Sequence, residues 1–311
     1  MDQAPLSDDS TAITMPDKPQ NQRAAIGLTR LLHSASVELS PGDGQGIQLL
    51  PEYFHPGTLV HITFLPKENS SRIVETAVAL ARGGFLPVPH VAARSLTSRA
   101  ELENMILRAV GEAGVDRVLL IGGDTDHPRG PFKSSMDVLQ TGILQKCGIK
   151  SVAFAGHPEG HPAVDAEIMA RALGEKVQFA LAEGLSTWII NQLCFEAEPV
   201  VRWIDDLRAG GITAPVRLGI AGPTNALAML RFALRCGVGN SVRTLRKRAD
   251  TVSHLLRDVD PGELLREICL SLPDAGLNGV EGVHFFVFGS LRKMGQWLQV
   301  VTHDLNRPEG V

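Results

Sequence analysis

The stretch LPVPHVAARSLTSRAELENMILRAVGEAGVDRVLLIGG, residues 86–123, decides the fold. It opens on LPVPHVA (86–92) and closes on RVLLIGG (117–123), two short runs that are almost wholly apolar. Runs of this kind suit strands buried on both faces. Between them, SRAELENMILRAVGEAG (98–114) carries a helical period, opens on Ser98 as an N-cap and ends at Gly114 as a C-cap. Strand, amphipathic helix and strand in succession form a right-handed βαβ unit, which makes the two strands parallel.

The same alternation extends in both directions. Upstream lie the run 34–40 and TLVHITFL (58–65); downstream lie SVAFAG (151–156), STWIINQL (186–193), PVRLGIAG (215–222) and GVHFFVFG (282–289). Helical segments such as SSRIVETAVALARG (70–83) and AEPVVRWIDDLRAGG (197–211) separate them. Eight strands favour closure into a single-domain (β/α)8 TIM barrel over an open sheet. No dinucleotide fingerprint follows the first strand, because Gly42, Gly44 and Gly46 have the wrong spacing and precede no predicted helix. Residues 41–57 hold Gly and Pro with little helical period, so the first helix is expected to be shortened or replaced by a loop. Two extra helices are expected between strands seven and eight, RTLRKRADTVSHLL (243–256) and GELLREICLSL (262–272). Residues 1–22 read as a polar, disordered tail and 23–311 as the catalytic barrel.

Composition narrows the functional classes. Hydrophobic residues make up 44% and charged residues 21%, with aromatics at 5%, the profile of a globular protein with an aliphatic core. A net charge of −4 gives no electrostatic reason to expect nucleic acid or a membrane surface as partner. Cys147, Cys194, Cys236 and Cys269 are far apart and fit reduced thiols in a cytoplasmic protein.

In a barrel of this type chemistry sits where the strands end. Those positions hold Glu38, Thr63, His90, then Asp124 with Asp126 and His127 behind it, then His157, Glu159 and His161, then Asn191 and Gln192. Polar groups in apolar strands are costly unless something pairs with them, so their gathering at one rim is a functional signal. Each also has a plain structural reading. Glu38 fits a carboxylate paired with a cation, Asp124 a loop cap, and His90 a core histidine bonded to backbone. The run His157-Pro-Glu-Gly-His161 contains Pro158 and Gly160, so its histidines cannot share one helix face as zinc-binding pairs do. The basic residues 243–248 suit a solvated helix face; Trp203, Phe232 and Trp297 suit packing.

The order of these pieces resembles the methylenetetrahydrofolate reductase family, in its short bacterial, barrel-only form. The resemblance rests on Ser36-Val-Glu38-Leu-Ser-Pro41, Pro89-His90, Gly123-Asp124, HPEGHP (157–162), NQLCF (191–195) and VHFFVFG (283–289), in register from about residue 33 to 300. It implies interconversion of 5,10-methylenetetrahydrofolate and 5-methyltetrahydrofolate by hydride transfer through FAD, with NADH or NADPH as the other partner. It further implies that Glu38 and Asp124 are catalytic, Glu38 as the acid that opens the imidazolidine ring, and that Asp124, Gln192 and Phe195 contact folate. Thr63, His90, Gly123, Asp124, His157, Glu159, His161 and Lys176 are implied to contact the flavin.

The sequence departs from the family where the flavin would sit. Leu39-Ser40 replaces an aromatic pair, Gly122 an arginine and His157 a tyrosine, while Met169 and Ala172 stand where polar residues hold the ribityl-phosphate. FAD is therefore a conditional expectation, with Arg171 and Lys176 as the nearby cations. Two other readings stay open: a metal-dependent hydrolase using His90, Asp124, His157 and His161, and a folate-binding protein without redox activity. NADH against NADPH, direction, and a homo-oligomeric state are left open.

Overall fold

The computed structural model describes residues 18–64, 68–123, 125, 127–161, 164–225, 258–272, 277–287 and 290–305. Eight strands form a closed, wholly parallel barrel: β1 Ser36–Leu39, β2 Leu59–Ile62, β3 Leu86–Ala92, β4 Arg117–Ile121, β5 Ser151–Gly156, β6 Ser186–Asn191, β7 Val216–Ala221 and β8 Val280–Phe286. They close in sequence order, β1 pairing with both β2 and β8. Each expected strand is present, shortened by one to three residues at several ends, while β8 begins two residues earlier than expected.

The helices form where the capping residues place them. Helix α1 spans Lys18–His33, α2 Gly44–Tyr53, α3 Ser70–Arg82 and α4 Arg99–Ala113. The Ser98 side chain accepts from Glu101 N–H at 3.0 Å to open α4, and Gly114 closes it in the left-handed region at φ 64°. Gly84, at φ 82°, turns the chain after α3 so that Gly84 N–H reaches Ala81 C=O and Phe85 N–H reaches Leu80 C=O. That pair of bonds is a Schellman motif. Downstream follow two short helices, α5 Ser135–Leu139 and α6 Ile143–Lys146, then α7 Ala166–Ala182, α8 Ala197–Ala209, α9 Pro261–Ser271 and α10 Leu291–Leu305.

Of the two alternatives expected after the first strand, the structure has the shortened helix and not the loop: α2 runs ten residues, against 13 in α3 and 15 in α4, despite Gly44, Gly46 and Pro51. Asp43 caps it by accepting from Gly46 N–H at 2.8 Å, and Leu50 is fully buried. Tertiary burial outweighs the poor intrinsic propensity of these residues. Helix α1 likewise begins at Lys18, inside the stretch expected to be tail. Of the two extra helices expected before β8, the second is α9; residues 243–256, Phe232 and Cys236 lie outside the described residues. A two-residue antiparallel ribbon, Thr224–Asn225 with Asp258–Val259, precedes α9.

Strand alternation divides the core into two layers. Val37, Leu39, Val60, Ile62, Phe154 and Phe285 point outward into the helix-facing core. The barrel interior is split. Val88, Leu119, Ala153 and Ile190 form a small apolar cluster on one side. The strands β7, β8, β1, β2 and β3 instead contribute Arg217, His284, Ser36, His61 and His90. That polar side lies beneath the rim where Glu38 stands.

Candidate active site

Register puts the polar groups together. Ser36 pairs with His284 across β1 and β8, and Glu38 pairs with His61 across β1 and β2. The Ser36 hydroxyl lies 3.1 Å from His284 Nδ1 and also reaches Val283 C=O at 3.3 Å. When that hydroxyl donates to the carbonyl, it accepts from Nδ1–H, and Nε2 is left as the unprotonated nitrogen. Nε2 faces Glu38 Oε2 at 3.7 Å, an electrostatic contact longer than a hydrogen bond. The Glu38 side chain is 13% exposed and that of His284 1%. A carboxyl open to a ligand therefore has a buried imidazole behind it.

His61 extends this group downward. Its ring lies edge-on to His284, with centroids 4.5 Å apart, and 5.6 Å from His90. Neither ring nitrogen of His61 has a hydrogen-bonding partner among the described residues. Burial pushes its pKa well below the ordinary histidine value, and the neighbouring His284, His90 and Arg217 add to that. His90 is lowered to about 4, chiefly by burial, with Glu38 opposing the shift. Both imidazoles are therefore neutral at pH 7. His61 and His284 lie beside Glu38 in the candidate site, and strand-end reading missed both. The available signal was a histidine at an inward position of an otherwise aliphatic strand, as in TLVHITFL and GVHFFVFG.

Several other expected residues follow strand ends. Thr63 follows β2, its N–H donating to Leu39 C=O at 3.0 Å. Gly123 follows β4 at φ 90°, where a Cβ would lie 3.3 Å from that of Ala92. Asp124 and Asp126 lie outside the described residues. Beside Gly122, where the family pattern has an arginine, stands the guanidinium of Arg94 from the segment after β3. It donates to Thr125 C=O at 3.1 Å.

After β6, Asn191 is wholly buried and its side chain continues the β6–β7 connection. Asn191 Oδ1 accepts from Gly219 N–H at 3.0 Å and Nδ2 donates to Gly219 C=O at 3.3 Å. Gln192 Oε1 accepts from Leu193 N–H at 3.0 Å. Because a peptide N–H can only donate, this contact fixes the amide orientation and leaves Nε2, a donor, for a ligand. Phe195 N–H donates to Glu159 Oε1 at 3.0 Å. Phe195 and Phe286 pack with Leu193 and Ala221 as an apolar shelf beside these groups, the Phe286 ring 5.1 Å from that of His284.

On the β5 side, His157 and His161 meet edge-on at 5.8 Å. His157 is lowered to about 4 by burial first, then by His161 and Lys176. Behind them a groove of ≈ 910 Å3 runs between α7 and α8, bordered by Gly156, His157, Leu173, Lys176 and Trp203. That volume is within the range of small-molecule sites. The Lys176 ammonium sits 5.6 Å from the centre of the Phe154 ring, and burial lowers its pKa with no carboxylate offsetting the shift. A cation held in a buried setting suits an anion such as a phosphate. Among the described residues no three His, Cys, Asp or Glu side chains are grouped to hold a metal ion. No described helix is long and apolar enough to cross a membrane. Cys147, Cys194 and Cys269 are free and buried.

Comparison with known proteins bears on family and fold. The chain is 26% identical over 178 residues to methylenetetrahydrofolate reductase 2 of Saccharomyces cerevisiae, covering 53% of this chain and 28% of that protein. It is 28% identical over 144 residues to methylenetetrahydrofolate reductase (NADH) 1 of Arabidopsis thaliana, covering 42% of this chain and 24% of that one. The matched region thus spans about a quarter of each relative's length. A Clostridium thermocellum protein that binds two copies of 5-methyl-5,6,7,8-tetrahydrofolic acid shares the fold, with a TM-score of 0.57 at 12% identity over 92% of this chain and 98% of that one. The family model for methylenetetrahydrofolate reductase matches residues 54–296, most of the barrel, and the chain belongs to that family.

Proposed function

We propose that this protein interconverts 5,10-methylenetetrahydrofolate and 5-methyltetrahydrofolate. The observation that carries the reading is Glu38, a carboxyl backed by the buried Ser36–His284 pair, with the Phe286 ring packed against the same His284. Opening the imidazolidine ring requires a proton on the departing ring nitrogen, and Glu38 is the group placed to give it. His284 stands behind Glu38 and orients it, while Ser36 holds the imidazole in place. In the reverse direction Glu38 takes the proton back. Gln192 Nε2 donates to an acceptor on the pterin, and Phe195 and Phe286 pack against its ring. Asp124 is assigned to the pterin's donor edge on the resemblance alone.

The chemistry FAD would supply here is a hydride relay between a nicotinamide and the folate carbon. Lys176 and the groove beside it suit the cofactor's phosphates, and Arg94 supplies a guanidinium beside Gly122. Thr63, His90, Gly123, His157 and His161 are assigned to the flavin side of the rim. The neutral state of His90 and His157 keeps that side free of extra positive charge. NADH is favoured as the nicotinamide by the naming of the Arabidopsis relative.

The test is an absorption spectrum of the purified protein, followed by anaerobic NADH and then methylenetetrahydrofolate. The flavin band should bleach with the first and return with the second. A colourless protein that shows no folate-dependent redox activity when supplied with FAD refutes the reading.

A further inference from the structure

The HPEG run at 157–160 is a β-turn, closed by Gly160 N–H donating to His157 C=O at 3.0 Å, with Gly160 at φ 79°. Pro158 occupies the second position, where its fixed φ suits the turn, and the turn presents Glu159 at the third. The facing segment after β6 has run out of strand partners. The β5–β6 ladder ends at Gly156 opposite Asn191, and Gln192 N–H to Gly156 C=O at 2.7 Å is the last backbone bond before the segment leaves the sheet.

Side chains take over from there. The Cys194 thiol donates to Gln192 C=O at 3.1 Å, and Glu159 Oε1 accepts from Phe195 N–H at 3.0 Å. Cys194 is almost wholly buried, and burial together with the nearby Glu159 carboxylate pushes its thiol well up, which keeps the S–H donor in place. Glu159 reaches across from the β5 turn to the segment that carries Gln192 and Phe195.

We propose that Glu159 is a positioning residue: the proline turn delivers its carboxylate to Phe195 N–H and so sets the placement of the Gln192–Phe195 segment that contacts the folate. This assigns the HPEG run a role in substrate placement, where the resemblance puts Glu159 among the flavin contacts, and it rests on the folate reading above. The carboxylate oxygen must reach a fixed N–H, so length matters and charge matters less. Glutamine offers an oxygen at the same reach. Aspartate keeps the charge but is one methylene short.

The experiment compares wild type with Glu159→Ala, Glu159→Asp and Glu159→Gln by amide hydrogen exchange on the unliganded protein and by calorimetric titration with 5-methyltetrahydrofolate. In the alanine and aspartate variants, exchange across 193–195 should quicken about tenfold, the scale of one hydrogen bond, with the barrel strands unchanged. Folate affinity should fall about tenfold in the same two variants, and glutamine should restore both readings. Unchanged exchange in Glu159→Ala overturns the clamp. Faster exchange with unchanged affinity overturns its role in substrate placement, as does an aspartate variant that behaves like wild type. A wild-type protein that binds no folate refutes the functional reading itself, and exchange on the unliganded protein still reports whether the clamp exists.

Discussion

Replacing His61 by leucine should stabilise this protein, and more so as the solution becomes acidic. The side chain is fully buried and neither ring nitrogen meets a hydrogen-bonding group among the described residues. A buried polar group left unpaired costs about 1–3 kcal/mol, and leucine of similar volume removes that cost without leaving a cavity. At pH 7.5 the variant should gain about 1–3 kcal/mol, or roughly 2 °C per kcal/mol in melting temperature. The pH term has a definite sign. The folded-state pKa of His61 lies well below its ordinary 6.5, so below pH 6.5 the unfolded chain takes up a proton that the folded one does not. The wild-type protein therefore loses stability as pH falls, and at pH 5.0 that loss is about 2 kcal/mol for a group of unfolded pKa 6.5. Leucine has no such loss, so its advantage should widen by about 2 kcal/mol between pH 7.5 and 5.0. Urea denaturation of both proteins at the two pH values measures this. A variant less stable than wild type at pH 7.5, or a gap that stays constant with pH, would show that His61 has a polar partner and is held for it.

Three further outcomes follow from particular contacts. His90, lowered to about 4 by burial, contributes stability that is complete above pH 6.5 and is lost as pH falls toward 4, about 3 kcal/mol in all; His90→Gln should flatten the acid limb of a stability–pH curve over that window. Glu38→Gln should lower ring-opening turnover by about a hundredfold or more while folate affinity survives, read by steady-state kinetics beside calorimetry; unchanged turnover removes Glu38 from the mechanism. Gly156→Ala places a methyl 2.3 Å from the Trp203 ring and should cost about 2 kcal/mol, with Trp203→Leu in the same chain recovering part of it.

Much of this protein was legible before any coordinates. Continuous apolar runs separated by capped helices specify parallel strands buried on both faces, because nothing else satisfies that pattern. Since all eight strands run the same way, the residues at their C-terminal ends must reach the same rim, and Glu38, Thr63, Gly123 and Gln192 could be placed there by counting; His90, expected after the third strand, lies within β3 and faces the barrel interior. The helix after β1 was not legible, because Gly44, Gly46 and Pro51 speak against a helix that burial of Leu50 and the Asp43 cap nevertheless form. Nor was the histidine group. His61 and His284 belong to the second and last strands, and they meet only because β1 closes the barrel by pairing with both. Whether a strand residue faces inward or outward depends on register, and register is a property of two strands. The same holds for Glu159, whose partner is a backbone N–H on the next loop, and for Lys176, whose burial appears only once α7 packs it over Phe154. Sequence alone determined the barrel and the membership of its rim, because local pattern and strand polarity suffice for both. Tertiary structure alone decided which of those groups touch, which are stripped of water and which are left unpaired, because contact and desolvation arise only when distant segments close upon one another.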